Sequence, residues 1–224
     1  MLEKIDNQQL ILSELQNSTL PAVDTQTHRY LNIGDNLNTV LDMTKYFYFI
    51  MEGKLKISQI DFASGKEQIL HLLSRGDMLD VITLLDGKAH DFYGVALEKS
   101  ELIEVPMENV RYLLDKDPAF KQLFFPYMAT QLRSMENLVT ELSFHDVYQR
   151  LVNLFSRFID TSKEKASFRL INNLSHEDLA AMVGSVRKVV NRNLQKLKSE
   201  GVISMSRKRL GLESLKKLRD KLKF

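Results

Sequence analysis

The spacing of the apolar residues changes once along this chain, near Pro106, and that change limits the fold more than any other feature. From about Arg29 to Val105 the spacing is that of strands. Tyr46-Phe-Tyr-Phe-Ile-Met51 reads as a strand, Glu52-Gly53 as a turn, and Lys54-Leu-Lys-Ile-Ser58 alternates strictly. Ser64-Gly65-Lys66 and Arg75-Gly76-Asp77 are turns on either side of a strand over Gln68–Leu73, and Phe92–Leu97 and Glu101–Val105 are further strands. Short strands broken by glycine turns every ten residues or so fit an antiparallel sandwich or jelly roll.

Beyond Pro106 the spacing becomes helical. Met107–Asp115 reads as a short helix, and Asp117-Pro118 opens a longer one that Pro126 is placed to kink or restart. Along it Phe125, Met128, Leu132, Met135, Val139 and Leu142 follow steps of three and four. This is a heptad seam, narrow enough to suit contact with one other helix. It reads as a dimerisation helix, with packing on the chain's own domain as the alternative. Phe144-His-Asp-Val147 breaks it, and Val147, Leu151, Leu154, Phe155 and Phe158 form a second amphipathic face. A polar loop over Thr161–Ala166 and a short strand over Phe168–Ile171 follow. Upstream, residues 3–16 read as a short helix carrying Ile5, Leu10, Ile11 and Leu15.

The C-terminal quarter is the most telling. Ser175 is a good helix N-cap with Asp178 three residues on, a near capping box. The helix it opens stops at Gly184, Ser185 caps a second helix from Val186 to about Ser199, and Gly201 ends that one. Two short helices crossing through a tight turn need a small residue where their backbones meet and a turn residue that tolerates positive φ. Ala180 and Gly184 supply these, and Val190 is the apolar residue that the second helix must bury. That spacing is a helix-turn-helix with its second helix offered to a major groove. Gly201–Met205, the basic turn Ser206-Arg-Lys-Arg209 and Leu210–Leu212 then read as a hairpin wing with a cationic tip.

Charge agrees with this. Residues 185–224 hold 13 Lys/Arg against 3 Asp/Glu, while the remainder holds 18 against 26. A basic end on an acidic chain suits a polyanion partner, though charge alone leaves a solvated tail open. The DNA-facing set is Ser175, His176, Ser185, Val186, Arg187, Lys188, Asn191 and Arg192, with Lys196, Arg207, Lys208 and Arg209 for phosphates. Arg187 is the candidate for bidentate reading of guanine, Lys188 for a base or a phosphate. Val189, Val190, Leu194 and Leu197 turn inward. The expected partner is double-stranded DNA.

The chain has no cysteine, which excludes disulfides and Cys-ligated clusters. With no spanning apolar run and no basic n-region at Met1–Asp6, no membrane role is expected and the location is expected to be cytoplasmic. The reading is therefore α+β: an antiparallel β-roll sensor over 1–117, a dimerisation helix over 118–144, and a winged helix-turn-helix over 145–224.

From about residue 25 to 215 the chain resembles the cAMP receptor protein / fumarate–nitrate reduction regulator superfamily. The resemblance rests on Tyr46–Ile57, Ser64-Gly-Lys-Glu67, Gly76-Asp77, the Phe144-His-Asp-Val-Tyr-Gln-Arg-Leu151 hinge and Leu174–Ile203. It implies a homodimer with a cyclic-nucleotide-binding-like roll, acting on promoters by contacting RNA polymerase or blocking it. It places an effector near Gly76, Asp77, Met135 and Glu136. The cAMP-binding pattern is incomplete, since Gly76-Asp-Met-Leu-Asp80 and Lys88-Ala-His-Asp91 lack its Arg-Ala pair, and Met135 and Glu136 replace its hydroxyls. No cAMP response is expected. In the haem-based sensors the ligand positions correspond to Asp80 and Ile82, leaving His71 or His90 for a haem. Phe92–Leu97 is similar to the 2-oxoglutarate-responsive nitrogen regulators, without the expected Arg. Lys188 stands where many relatives carry Glu, and Asn193 where most are apolar.

No cofactor is expected, and the effector is left open. A ligand-gated regulator is the alternative. A metal enzyme of the cupin kind, drawing on His28, His71 and His90, is the remaining class, and no enzymatic activity is expected.

Overall fold

The computed structural model describes residues 27–162, 166–206 and 209–222. The helix expected over residues 3–16, part of the Thr161–Ala166 loop, and Arg207 and Lys208 lie outside the described residues. Packing divides the chain into two units. The first comprises the described residues up to Gln59 with Leu70–Ser134, and the second Ile60–Ile69 with the described residues from Met135 onward.

In chain order the roll contains β1 (Thr27–Leu31), α1 (Leu37–Val40), β2 (Tyr46–Glu52), β3 (Lys54–Asp61), β4 (Lys66–Ser74), β5 (Met78–Leu79), α2 (Val81–Asp86), β6 (Tyr93–Ala96) and β7 (Ser100–Pro106). α3 (Met107–Lys116) and α4 (Pro118–Phe144) follow. One sheet has the order β1-β7-β2-β5 and the other β4-β3-β6, and the registered pairs are antiparallel.

The sequence of β2 shows why this architecture forms. Phe47, Phe49 and Met51 point to one face and pack with Met107, Val110 and Leu113 of α3 and Phe120, Leu123 and Phe124 of α4. Tyr48 and Ile50 point to the other face and pack with Leu55, Ile57, Leu73 and Leu102. A strand covered on both sides needs no polar positions, so Tyr46–Met51 runs apolar without alternation. β7 lies opposite in register, with Phe49 facing Ile103 and Tyr48 facing Glu104.

Glu104 is a charge in this interior, 5% exposed, and three bonds hold it there. Arg29 donates to both carboxylate oxygens at 2.9 Å, and the Tyr48 hydroxyl donates at 3.0 Å. A buried carboxylate is tolerable when paired in this bidentate way. Burial, and then the nearby Glu104 carboxylate, raise the Tyr48 hydroxyl above the usual tyrosine range, so it remains a donor.

α4 runs unbroken through Pro126, where the sequence allowed a kink or restart. Proline costs an interior helix about 3 kcal/mol. Burial of Phe120, Leu123 and Phe124 before it and Tyr127 after it holds both flanking turns to the same core. The other side of α4 is uncovered: Phe125, Leu132 and Val139, seven residues apart, are 59%, 61% and 64% exposed. Leu142 is also exposed, and Met128 and Met135 are half-buried.

The second unit continues through α5 (Val147–Arg157), β8 (Ile159–Asp160), β9 (Ser167–Phe168), α6 (His176–Met182), α7 (Arg187–Ser199), β10 (Ile203–Ser206), β11 (Arg209–Leu212) and α8 (Leu215–Arg219). Asp146 makes the break after Phe144 by capping α5, accepting from the Gln149 amide at 2.8 Å. Leu151, Leu154 and Phe155 are buried as their spacing required, and Phe158 is half-buried. The strand expected over Phe168–Ile171 is shorter. Only Ser167 and Phe168 pair, with Asp160 and Ile159, and Leu170 turns left-handed at φ 61° and ends the ladder. No described helix is long and apolar enough to cross a membrane.

Candidate nucleic-acid interface

Ser175 opens α6 as its spacing predicts. Its hydroxyl accepts from the Asp178 amide at 3.0 Å and donates to the Asp178 carboxylate at 2.7 Å. Gly184 follows α6 at φ 59°, the left-handed backbone that favours glycine. A Cβ there would also run into the Leu142 side chain. Arg150 secures the turn from α5, donating to Val183 O at 2.5 Å and to His145 O at 3.0 Å. Ser185 is not the cap of α7. Its amide is drawn back to Ala180 O at 2.9 Å, so it closes the turn, and Val186 takes the N-cap position without a side-chain bond.

α7 is amphipathic across this turn. Val190, Leu194 and Leu197 have no solvent exposure, and the helix packs on α5, α6 and β10. The opposite face shows Val186, Arg187, Lys188 and Arg192 to solvent, with Ser185, Asn191 and Val189 half-buried. An uncapped helix N-terminus carries partial positive charge, and here it lies beside two cations. Asn193 is half-buried because its Nδ2 bonds back to Val189 O at 3.0 Å, which satisfies it within its own helix.

Two contacts cross from α6 to the exposed face of α7. Arg187 Nη1 lies 2.5 Å from Glu177 Oε1. His176 Nδ1 lies 2.5 Å from Asn191 Oδ1. Sequence reasoning did not single out Glu177. A carboxylate in the first turn of a helix is accounted for by the helix dipole alone, and nothing in its spacing from Arg187 marks it as a partner.

Lys196, expected on phosphate, sits with its ammonium 4.6 Å from the centre of the Tyr148 ring. Tyr148 donates to Glu200 at 2.7 Å, and Lys221 pairs with Glu200 at 2.7 Å. Lys221 and Tyr148 hold the Glu200 carboxyl below its ordinary range. The C-terminal end of α7 is thus tied into the α5–α8 packing. Beyond it β10 and β11 form the wing hairpin, with Ser206 opposite Arg209 and Arg209 exposed.

In the roll, Gly76 and Asp77 are buried, and Asp77 accepts from the Ser74 amide at 2.9 Å. Asp80 has a left-handed backbone, φ 62°, and its carboxylate caps α2 through the Thr83 amide at 3.4 Å. His90 Nδ1 lies 3.1 Å from the same carboxylate. His28 is engaged by Glu101 at 2.7 Å, and His71 is half-buried. Among the described residues no three His, Asp or Glu gather as a metal site. Met135 is half-buried and Glu136 exposed.

Two domain families match in series: the cyclic nucleotide-binding domain over residues 30–117 and the Crp-like helix-turn-helix domain over residues 149–221. The global nitrogen regulator of Nostoc sp. is 28% identical over 173 residues, covering 75% of this chain and 77% of its own. The cyclic AMP receptor protein of Thermus thermophilus is 25% identical over 164 residues, 73% of each chain. The anaerobic regulatory protein of Haemophilus influenzae is 27% identical over 188 residues, 81% of this chain and 68% of its own. Among solved structures, a CooA variant from Carboxydothermus hydrogenoformans shares the fold with a TM-score of 0.76 at 19% identity, covering 93% of this chain and 94% of its own.

A roll followed by a long helix and a winged helix-turn-helix with an exposed cationic face defines a DNA-binding transcription regulator. The chain belongs to the cAMP receptor protein / fumarate–nitrate reduction regulator superfamily.

Proposed function

We propose that the protein is a homodimer that binds a roughly palindromic promoter site, with α7 of each copy in a major groove. The observation that carries this reading is the division of α7 between Val190, Leu194 and Leu197, wholly buried, and Arg187, Lys188 and Arg192, exposed. Arg187 reads a base and Lys188 reads a base or holds a phosphate, with Ser175, His176, Ser185, Val186 and Asn191 alongside. Arg192, Lys196 and the wing residues Arg207, Lys208 and Arg209 hold phosphates. The uncovered ridge of Phe125, Leu132 and Val139 supports pairing of two α4 helices. Transcription changes through RNA polymerase, by contact or by blockade.

The roll does not fit a cyclic nucleotide in its familiar mode. The ring phosphate needs a cation, and the residues after Gly76 supply instead the Asp80 carboxylate at the start of α2, paired with His90. We therefore propose that DNA binding does not respond to cAMP.

The test is a titration of a selected duplex against the full chain over a range of salt. Binding should weaken steeply with salt, and Arg187→Ala should abolish sequence preference with little change in stability. Undiminished preference in Arg187→Ala removes it as the reading residue.

A further inference from the structure

On the α7 face, two of the side chains that reach toward a groove are already held from α6. The Asn191 amide oxygen lies 2.5 Å from His176 Nδ1, and Arg187 Nη1 lies 2.5 Å from Glu177 Oε1. Arg187 and Asn191 are four residues apart and share one face of the helix. His176 and Glu177 form the first turn of α6, so both contacts arise where the two helices cross.

The Asn191 contact has a chemical consequence. A ring nitrogen facing an amide oxygen attracts it only if that nitrogen carries a proton, since two lone pairs repel. With the amide oxygen turned toward the ring, it is the Nδ1–H tautomer of His176 that donates and the Asn191 oxygen that accepts. The amide then has its NH2 end free and one of the two lone pairs of its oxygen taken. An unrestrained asparagine pairs bidentately with adenine, giving a donor to N7 and taking one from N6. With one lone pair taken and the oxygen held toward α6, Asn191 is poorly placed to accept from N6 as well. It favours base edges rich in acceptors, guanine with N7 and O6 or thymine with O4.

The Glu177 contact acts on Arg187 in another way. Arginine has many rotamers, and ordering it costs affinity at the moment of binding. A carboxylate on Nη1 limits those rotamers before DNA arrives. It also places a negative charge beside the reading face, which penalises DNA that cannot offer Arg187 a better partner.

We infer that the first turn of α6 is a determinant of base preference. His176 biases Asn191 toward donating, and Glu177 makes Arg187 selective. Both are positioning residues. The inference rests on the reading of α7 as the base-contacting helix.

The experiment is selection of half-sites from a randomised duplex pool by the full chain, followed by competition binding. The wild type should select guanine or thymine at the position that loses its preference in Asn191→Ala. His176→Phe keeps a ring without a donor, and adenine should gain about tenfold there, the scale of one bidentate contact. His176→Gln restores a donor and should keep the wild-type pattern. Glu177→Gln should bind non-specific DNA more tightly and lower the specific-to-non-specific ratio several-fold.

An unchanged pattern in His176→Phe overturns the inference, as does a wild type that selects adenine at that position. So does an Asn191→Ala pattern identical to the wild type. If His176→Phe fails to fold, the wild-type preference and the His176→Gln pattern decide the matter. A wild type with no base preference anywhere removes the underlying reading of α7 instead.

Discussion

Replacing Tyr127 with Phe removes one oxygen atom from the core between α4 and the β1-β7-β2-β5 sheet. That oxygen accepts from the Met78 amide at 3.0 Å and donates to Met78 O at 3.2 Å. Tyr127 and Met78 are both buried, 6% and 2% exposed, so water does not replace the lost partner. Burial raises the hydroxyl above the usual tyrosine range, which keeps it protonated and able to serve both bonds. A buried polar group left unsatisfied costs about 1–3 kcal/mol, and the remaining contacts of the ring are unchanged. We expect a loss of roughly 2 kcal/mol. At about 4–8 °C per kcal/mol for a domain of this size, the transition of the roll should fall by roughly 10 °C. Scanning calorimetry and urea unfolding followed by circular dichroism measure it, with Tyr112→Phe as the exposed control. A Tyr127→Phe variant as stable as that control refutes the argument that this hydroxyl satisfies β5.

Three further outcomes follow from particular residues. Gly184→Ala places a side chain at φ 59° and against Leu142, and should cost about 1–2 kcal/mol from the backbone alone, with DNA affinity falling alongside in a binding titration. Leu132→Glu puts a charge on the uncovered ridge of α4, and sedimentation should show the dimer weakened at least tenfold with the monomer fold intact. Asp42 is lowered from 3.8 to about 2, first by the Thr44 hydroxyl and then by Lys45. Its stabilisation is present above pH 3.8 and lost as pH falls through about 2, so Asp42→Asn should flatten that part of the acid unfolding curve.

Much of this was legible in the sequence because local spacing carried it. The run Tyr46–Met51 and the alternation of Lys54–Ser58 mark β2 and β3, and Ser175, Ala180, Gly184 and Val190 mark a helix-turn-helix by position alone. The details that the sequence left open or misplaced depended on tertiary structure. Pro126 does not interrupt α4 because aromatic residues on both sides share one core. Ser185 looks like a cap, but its amide is claimed by Ala180 across the turn. Leu170 ends β9 with a backbone conformation that leucine rarely adopts. At the candidate interface the sequence offered cations without their partners. The Glu177–Arg187 and His176–Asn191 contacts join residues ten and fifteen positions apart, and only the crossing of α6 and α7 brings them together. The position of Lys196 over the ring of Tyr148, from another helix, is likewise a contact that spacing does not reveal.

The ligand chemistry of the roll was less legible, for a chemical reason. Asp80 and His90 satisfy each other at the start of α2, so this part of the roll displays a closed pair in place of an open set of donors. Mapping bound sites across the genome under contrasting growth conditions will show whether occupancy follows a signal.

The most direct measurement is a hydroxyl-radical footprint of the full chain on its selected duplex. A dimer presenting two α7 helices should protect two segments centred about one helical turn, roughly 10 bp, apart, with a two-fold related pattern that disappears in Leu132→Glu. A single protected segment, or protection with no fixed spacing, would contradict it.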